Sequence, residues 1–309
     1  MSKPRSPIAD YIIYLLVRLF VCVVQMLSFP AACRLSHRLA MVVHRLDRRH
    51  REVARENLRH AFGDQLTERE RERLVCGIYR HFCQLLMEII HLPRRLHIQN
   101  WQRYVTLENP RPLVDLLLSG RPLLMVTSHF GNWEMGSYAL GLLGFKLHAV
   151  ARPLDNRYLD DYLRRFRERT GQKLLAKKGD FDRMQEILAA GGVLGTLGDQ
   201  DAGQRGLFVD FFGRPASTHK AVALLALKYN VPMLVSHARN AGQPLHYILG
   251  IDDVIFPEEY AGRADAVPAI TQRFTAAVER RVRKAPEQYL WLHRRFKHRP
   301  ARAKRRLSA

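Results

Sequence analysis

The sequence is poor in cysteine and lacks the arrangements that cysteine chemistry requires. Its 309 residues include four cysteines, with no C-x-x-C pair and no metal-binding spacing: Cys22, Cys33, Cys76 and Cys83. Two lie in an apolar N-terminal stretch and two in a predicted helix, so we expect reduced thiols in the cytosol or a membrane. A G-x-S-x-G nucleophile elbow is also absent from the sequence, which argues against a serine hydrolase of that type.

Acidic residues are scarce relative to basic ones. Asp and Glu number 29 and Lys and Arg 50, which leaves a formal net charge of +21. Such a charge attracts nucleic acid, anionic lipid headgroups or an acidic partner protein. The arginines are not interleaved with stacking aromatic residues, and no helix-turn-helix, zinc or RNP pattern is present. A basic nucleic-acid-binding protein is therefore kept as the alternative of a different class, and no nucleic-acid partner is expected.

The N-terminal segment is the longest apolar run. Residues 8–29 are long enough to cross a bilayer, which needs about 20 residues. On a helix, Asp10, Arg18, Gln25 and Ser28 fall within about 80° of one another. This pattern favours a single membrane anchor whose polar stripe packs on protein or faces headgroups, with a buried helix of a soluble domain as the alternative. Most basic residues follow the segment, which places the body of the protein in the cytoplasm.

The remaining sequence alternates between short apolar runs and helical patterns. Strands are predicted at 122–127, 146–150, 193–198 and 231–237, and a helix at 218–229. A capping box, Thr67 to Glu70, opens a further helix. The alternation predicts an α/β fold with a mixed sheet flanked by helices. The simplest organisation is an N-terminal membrane-anchor helix (1–33), one catalytic domain (34–300) and a basic tail (301–309).

The stretch "TSHFGNWEMG" joins a predicted strand to a predicted helix. His129 and Glu134 would lie about 140° apart on one continuous helix and would not meet. A turn at Gly131 and a helix N-cap at Asn132 would let them converge. A carboxylate on one imidazole nitrogen fixes the tautomer, and the other nitrogen can then accept a proton from an alcohol. We therefore expect His129 to be a general base oriented by Glu134, although a histidine near a glutamate is more often structural.

No nucleophilic side chain accompanies this pair. Ser128 precedes His129 and points to the opposite side if the strand alternation holds. The pattern therefore favours direct attack by a substrate hydroxyl on an activated acyl group, without an acyl-enzyme.

The segment "SHFGNWE" resembles the His-x4-Asp/Glu motif of glycerolipid-type acyltransferases, in the form found in the lauroyl and myristoyl transferases of lipid A biosynthesis. Four further blocks resemble the same family in the same order: "REVARENLRHAFGDQLTERER", "ARPLDNRYLDDYLRRFRERTG", "LGDQDAGQRGLFVDFFGRPASTHKAVALLALKYNVPML" and "APEQYLWLHRRFKHRP". The resemblance implies a glycerolipid-acyltransferase-like mixed sheet.

The family resemblance also implies an activity and a location. An acyltransferase of this type sits in the bacterial inner membrane with its catalytic domain facing the cytoplasm. It moves a fatty acyl chain from acyl carrier protein, or from acyl-CoA, to a hydroxyl of a lipid A precursor. No metal or redox cofactor is implied. Another membrane glycolipid, such as a phosphatidylinositol mannoside-like or ornithine-type lipid, is the alternative acceptor.

The resemblance assigns His129 as the catalytic base and Glu134 as the carboxylate that orients it. Arg152 matches a family arginine at the end of the next strand and would bind a phosphate or the developing oxyanion. The alternative for Arg152 is a surface ion pair with Asp155.

Four further residues are carried over as substrate-binding candidates. Asp199 and Asp201 match an acidic motif that would form a structural hydrogen-bond hub or contact glucosamine hydroxyls. Arg294 and Arg295 would bind the acidic headgroup or dock the membrane, with a solvated basic face as the alternative.

Overall fold

The computed structural model describes residues 6–176 and 179–300, and the described chain begins with four helices. They are α1 (Pro7–Met26), α2 (Phe29–Leu46), α3 (Arg48–Phe62) and α4 (Glu68–Arg95). The predicted capping box at the start of α4 is confirmed, since Glu70 N donates to Thr67 Oγ1 at 3.3 Å and Thr67 N donates to the Glu70 carboxylate at 2.8 Å. The basic tail predicted at 301–309 lies outside the described residues.

Helix α1 packs on the body of the protein through Val17, Val21 and Val24, and Gln25 of its polar stripe adds a hydrogen bond beside them. Gln25 Nε2 donates to the carbonyl of Ile90 in α4 at 3.2 Å, and most of the helix surface is exposed. Among the described residues, α1 is the one helix long and apolar enough to cross a membrane. The domain boundary predicted after residue 33 falls inside α2, so this helix joins the N-terminal segment to the rest of the chain.

Seven strands form the central sheet. They are β1 (Val105–Glu108), β2 (Leu123–Thr127), β3 (Leu147–Ala151), β4 (Lys173–Ala176), β5 (Val193–Leu197), β8 (Met233–Asn240) and β9 (Tyr247–Ile255), in the order β1-β9-β8-β2-β5-β3-β4. Strands β8, β2, β5, β3 and β4 run parallel, whereas β9 is antiparallel to β8. The mixed α/β sheet and its four predicted strands (β2, β3, β5 and β8) are confirmed, with ends shifted by at most three residues.

Helices cover both faces of this sheet, as its buried apolar strands require. They are α5 (Arg111–Leu118), α6 (Trp133–Leu142), α7 (Arg157–Glu168), α8 (Phe181–Ala189), α9 (Ala221–Tyr229) and α10 (Ala266–Lys284). Side chains alternate along β2: Leu124 and Val126 pack into the core that includes α9 and α10, while Leu123 and Met125 face α5 and α6.

The helix predicted at 218–229 begins later than expected. Strands β6 (Leu207–Phe211) and β7 (Arg214–Thr218) form an antiparallel hairpin outside the main sheet. Because the residue that was expected to start the helix pairs with Leu207 in this hairpin, the helix α9 starts at Ala221.

The turn between β2 and α6 depends on a glycine. Gly131 has φ +60°, and a Cβ there would overlap the carbonyl oxygen of Ala238 and lie 2.8 Å from its carbonyl carbon. Asn132 then caps α6, since its Oδ1 accepts from Met135 N at 2.9 Å, as the sequence predicts. The turn therefore fixes the position of His129 and the point at which α6 begins.

Gly131→Ala should destabilise the protein strongly. A left-handed backbone with a side chain costs about 1–2 kcal/mol, and a forced overlap in a packed site adds about 1–3 kcal/mol. Gly136→Ala is the matched control, because its added Cβ would lie 3.6 Å from Ala238 Cβ, an ordinary contact. Urea unfolding of both variants measures the effect, and equal loss of unfolding free energy would contradict this account of the turn.

Candidate active site

An imidazole–carboxylate pair lies at the C-terminal edge of the sheet. His129 follows β2, Asp199 follows the adjacent strand β5, and His129 Nδ1 is 2.8 Å from Asp199 Oδ1. The backbone N of His129 also donates to Asp199 Oδ2 at 2.9 Å. Since both contacts join the ends of neighbouring parallel strands, the pair occupies the edge where α/β proteins commonly bind ligands.

The second imidazole nitrogen is the one available for proton transfer. With Asp199 accepting from Nδ1, Nε2 is left as the acceptor. Nε2 lies 3.5 Å from Gln200 Nε2, and the His129 ring lies 5.0 Å from the Trp133 ring centre. The His129 side chain retains 14% exposure, so part of it is accessible to a substrate.

The charge of Asp199 sets the protonation behaviour of this pair. Burial alone would lower the pKa of His129, but the charge and hydrogen bond of Asp199 outweigh it and raise that pKa above its usual value, with a smaller contribution from Glu134. Burial would likewise raise the pKa of Asp199, yet interaction with His129 holds it below the usual value. The imidazolium form is therefore stabilised, as a general base requires.

The expected contact between Glu134 and His129 is not what the structure shows. Glu134 lies in the first turn of α6 and pairs with Arg167 of α7, whose Nε donates to both carboxylate oxygens at 3.0 and 3.1 Å and whose Nη2 also donates. After the turn at Gly131 the Glu134 side chain points to α7, and a bidentate guanidinium satisfies it there. Asp199, 70 residues from His129 in sequence, takes the imidazole instead.

Arg167 is a site residue that the sequence reasoning missed. It stands in the arginine-rich run of α7, where nothing in the local pattern separates it from its solvated neighbours. Its side chain is 21% exposed, well below the 79% of Arg152. The only available signal was its place in the "RRFRERTG" part of a family-like block.

Arg152 stands at the end of β3, where the sequence placed it, but its side chain points outward. Its Nη2 donates to Asp155 Oδ1 at 3.0 Å, and both side chains are largely exposed. The structure thus shows the surface ion pair that was the alternative for this residue.

The predicted basic pair in the C-terminal segment divides between surface and core. Arg294 is exposed, whereas Arg295 is 2% exposed and donates to Ser217 O at 2.5 Å and Thr218 Oγ1 at 2.6 Å. The buried guanidinium also lowers the pKa of Asp199 through its charge, after the larger effects of burial and His129. Arg295 thus acts on the Asp199 carboxylate through its charge and does not form a solvated basic face.

Asp201 organises the same segment. Its Oδ2 is 2.7 Å from His298 Nδ1, and its backbone N donates to His293 Nε2 at 3.1 Å. These contacts match the structural hub that was one of the two sequence interpretations of the acidic motif.

A cavity of about 260 Å³ lies between the sheet and helices α5 and α6. Trp133, Glu134 and Arg167 contribute to its wall, and Trp133 also contacts the His129 ring. The rest of its lining is mainly apolar and includes Leu113, Leu117, Met125, Leu140, Leu147 and Leu234. The cavity therefore suits a hydrocarbon chain whose polar end lies near the imidazole.

Within residues 6–176 and 179–300, no group of three His, Cys, Asp or Glu side chains is arranged to hold a metal ion. The polar groups of the site instead bond to one another, as His129 does to Asp199 and Glu134 to Arg167.

Comparison with known proteins identifies relatives of this chain. Residues 2–298 match the model of the family described as bacterial lipid A biosynthesis acyltransferase. The lipid A biosynthesis lauroyltransferase of Escherichia coli K12 is 29% identical over 279 residues, covering 89% of this chain and 88% of the relative. The palmitoleoyltransferase of the same strain is 26% identical over 279 residues, covering 89% and 87%. A lipid A biosynthesis acyltransferase of Haemophilus influenzae is 28% identical over 253 residues, covering 80% and 78%.

Asp199→Asn should lower the pKa of His129, because the charge that raises it is removed. Glu134→Gln should lower the same pKa by a smaller amount, since Glu134 contributes less. NMR titration of the imidazole resonances measures both shifts. His81 serves as an internal control: burial lowers its pKa to about 4 and no carboxylate is among the causes, so it should not respond. An unchanged His129 pKa in Asp199→Asn would contradict the assigned contact.

Proposed function

Because the chain belongs to the bacterial lipid A biosynthesis acyltransferase family, we propose that it transfers a fatty acyl chain from acyl carrier protein to a hydroxyl of a lipid A precursor, at the membrane. Family membership supports acyl transfer and the lipid A acceptor. The carrier-protein donor, the bacterial inner membrane and the cytoplasmic orientation belong to the proposal. The observation that carries the chemistry is the His129–Asp199 pair beside an apolar cavity.

His129 acts in this scheme as the general base. Its Nε2 accepts the proton of the acceptor hydroxyl as the oxygen attacks the thioester carbonyl carbon. The imidazolium that forms is stabilised by Asp199, and the carbon–sulfur bond breaks as the tetrahedral intermediate collapses. The proton then passes to the departing thiolate, so the imidazole is regenerated and a new ester bond remains. Ser128 is buried, which supports direct transfer without an acyl-serine at that position.

The cavity beside α6 accommodates the acyl chain. Its apolar walls bury the hydrocarbon, while Glu134 and Arg167 form a polar edge next to Trp133. We assign a positioning role to this ion pair. It fixes the start of α6 and forms the polar edge of the cavity, next to which the thioester or the acceptor hydroxyl must lie. Glu134 then influences the reaction chiefly through substrate placement, and Asp199 chiefly through the charge of the imidazole.

The basic charge of the protein fits the proposed partners. Acyl carrier proteins are acidic, lipid A precursors carry phosphates, and anionic headgroups cover the inner membrane. The family match and the apolar cavity favour acyl transfer over the nucleic-acid alternative. No observation favours a phosphatidylinositol mannoside-like or ornithine-type acceptor over lipid A.

His129→Ala should reduce turnover by about 10²–10⁴-fold, the range that general base catalysis commonly supplies. Mass spectrometry of a lipid A precursor incubated with acyl carrier protein thioester measures it. His97→Ala is the matched control, because His97 is exposed and lies outside the site. If His129→Ala retained wild-type turnover, the proposed mechanism would be wrong.

Added salt should weaken the binding of the carrier-protein donor. The Debye length shrinks from about 10 Å at 0.1 M salt to about 3 Å at 1 M, so attraction between the basic enzyme and an acidic donor is screened. The apparent KM for the carrier-protein thioester should rise with salt, while that for an uncharged short thioester should change little. Equal responses of the two donors would remove the electrostatic contribution from the proposal.

A further inference from the structure

Helix α1 presents a broad apolar surface away from the protein. Its outward arc carries large aliphatic side chains that are between 47% and 73% exposed: Ile8, Ile12, Leu15, Leu16, Leu19 and Val23. Asp10, Tyr14, Val17, Val21 and Val24, at helical spacing, form the opposite, more buried side. A helix with one protein-facing side and one exposed apolar side requires an apolar partner on the exposed side.

The first half of α1 is bound to α7. Asn156 Nδ2, at the start of α7, donates to the carbonyl of Asp10 at 2.8 Å. The Tyr11 and Tyr158 rings meet edge to face with centroids 5.1 Å apart.

The middle and end of α1 are bound as well. The Arg18 guanidinium lies 5.0 Å from the ring centre of Tyr162 in α7, and a hydrogen bond within α1 from its Nη1 to Tyr14 OH, at 2.9 Å, holds it there. At the C-terminal end, Arg94 of α4 donates to the carbonyl of Gln25 at 2.8 Å. Contacts thus occur near both ends and in the middle of the helix, so α1 and the body share one orientation.

This shared orientation argues against a helix that crosses the bilayer. A helix of 20 residues is about 30 Å long, the thickness of the hydrocarbon core. If α1 crossed the bilayer along its normal, α7, which packs beside α1, would also lie in the hydrocarbon core. The exposed charged side chains of α7 are Arg157, Asp161 and Arg165. Each charge near the bilayer centre costs at least about 2.5–3.5 kcal/mol.

We infer that α1 lies in the plane of the membrane surface, with its apolar arc inserted into one leaflet and the whole protein on the cytoplasmic side. This orientation buries the aliphatic arc about 5–10 Å deep and leaves α7 at or above the headgroups. The partner is an anionic lipid bilayer. This inference rests on the proposed membrane-bound function and specifies how the protein meets the membrane.

Charge and aromatic placement support an anionic surface as the partner. Helix α2 begins three residues after α1 ends and exposes Arg34, His37, Arg38 and Arg45. Basic side chains of this kind are attracted to anionic headgroups. The tyrosines between α1 and α7 have the amphipathic character of residues found at membrane interfaces.

The orientation also connects the membrane to the site. Helix α7, which holds α1, carries Arg167, and Arg167 binds Glu134 at the edge of the acyl cavity. Helix α7 therefore contacts both the inserted helix and the cavity wall. In this orientation a lipid acceptor can approach the site from within the leaflet.

Labelling from each side of the membrane tests this orientation. In a background with all four native cysteines replaced by Ala, Ser6→Cys and Ser28→Cys place one thiol at each end of α1, both at exposed positions. A membrane-impermeant maleimide is applied to spheroplasts and to inverted inner-membrane vesicles. In-plane binding predicts that both thiols are labelled in inverted vesicles and neither in intact spheroplasts.

Labelling of one end only from the outer side would show a spanning helix and overturn the inference, while leaving membrane-bound acyl transfer intact. Recovery of the full-length protein in the soluble fraction would overturn both the inference and the membrane part of the proposed function. Acyl transfer to a detergent-dispersed acceptor, assayed on the same variants, reports on the chemistry separately.

A depth measurement gives a second, independent readout. A fluorophore on Leu16→Cys, at the middle of α1 and on its apolar arc, is followed in vesicles that contain lipids with quenchers at shallow or deep positions. In-plane binding predicts stronger quenching by the shallow quencher. Stronger quenching by the deep quencher would place the middle of α1 at the bilayer centre and overturn the inference.

Discussion

Two hydrogen bonds from His129 to the Asp199 carboxylate hold the site together. One comes from the imidazole Nδ1 and the other from the backbone N, so a single buried carboxylate fixes both the ring and the chain that carries it. Asp199 can reach both because β2 and β5 are neighbours in the sheet and end at the same edge. The charge, tautomer and position of the imidazole therefore depend on the sheet topology.

The rest of the edge is built around this contact. Gly131 N donates to Gln288 O at 2.9 Å and Leu290 N donates to His129 O at 3.0 Å, so the C-terminal segment pairs with the motif turn. Arg295, from the same segment, interacts with Asp199 through its charge. The motif turn and the C-terminal segment thus hold His129 at the Asp199 carboxylate together, although they are far apart in sequence.

The sequence predicted local features well and tertiary partners poorly. Hydrophobic runs identified β2, β3, β5 and β8, and short polar patterns identified the cap at Asn132 and the capping box at Thr67. These features depend on neighbouring residues. The partner of His129 depends on which strands lie side by side, and no local pattern of this sequence states that order. Glu134 was expected at the imidazole because it is near in sequence, and Asp199 was assigned another role.

The run of basic residues near the C-terminus illustrates the same limit. Arg294 and Arg295 are adjacent and identical in type, yet one is exposed and the other is 2% exposed. Burial of Arg295 depends on acceptors from β7, more than 70 residues earlier in the chain. Both arginines were expected to bind the acidic headgroup or dock the membrane, with a solvated basic face as the alternative, because the pattern contains no information about these acceptors.

The central claim is that Asp199 is bonded to the His129 imidazole and acts through it, whereas Glu134 acts chiefly through substrate placement. Two double-mutant cycles test it most directly, one with His129→Ala and Asp199→Asn and one with His129→Ala and Glu134→Gln, each read as kcat/KM for acyl transfer. Residues that act as one unit are non-additive, whereas independent residues multiply. We predict that Asp199→Asn adds little loss to His129→Ala, while Glu134→Gln adds a further loss close to its own single effect. The reverse pattern would contradict the account.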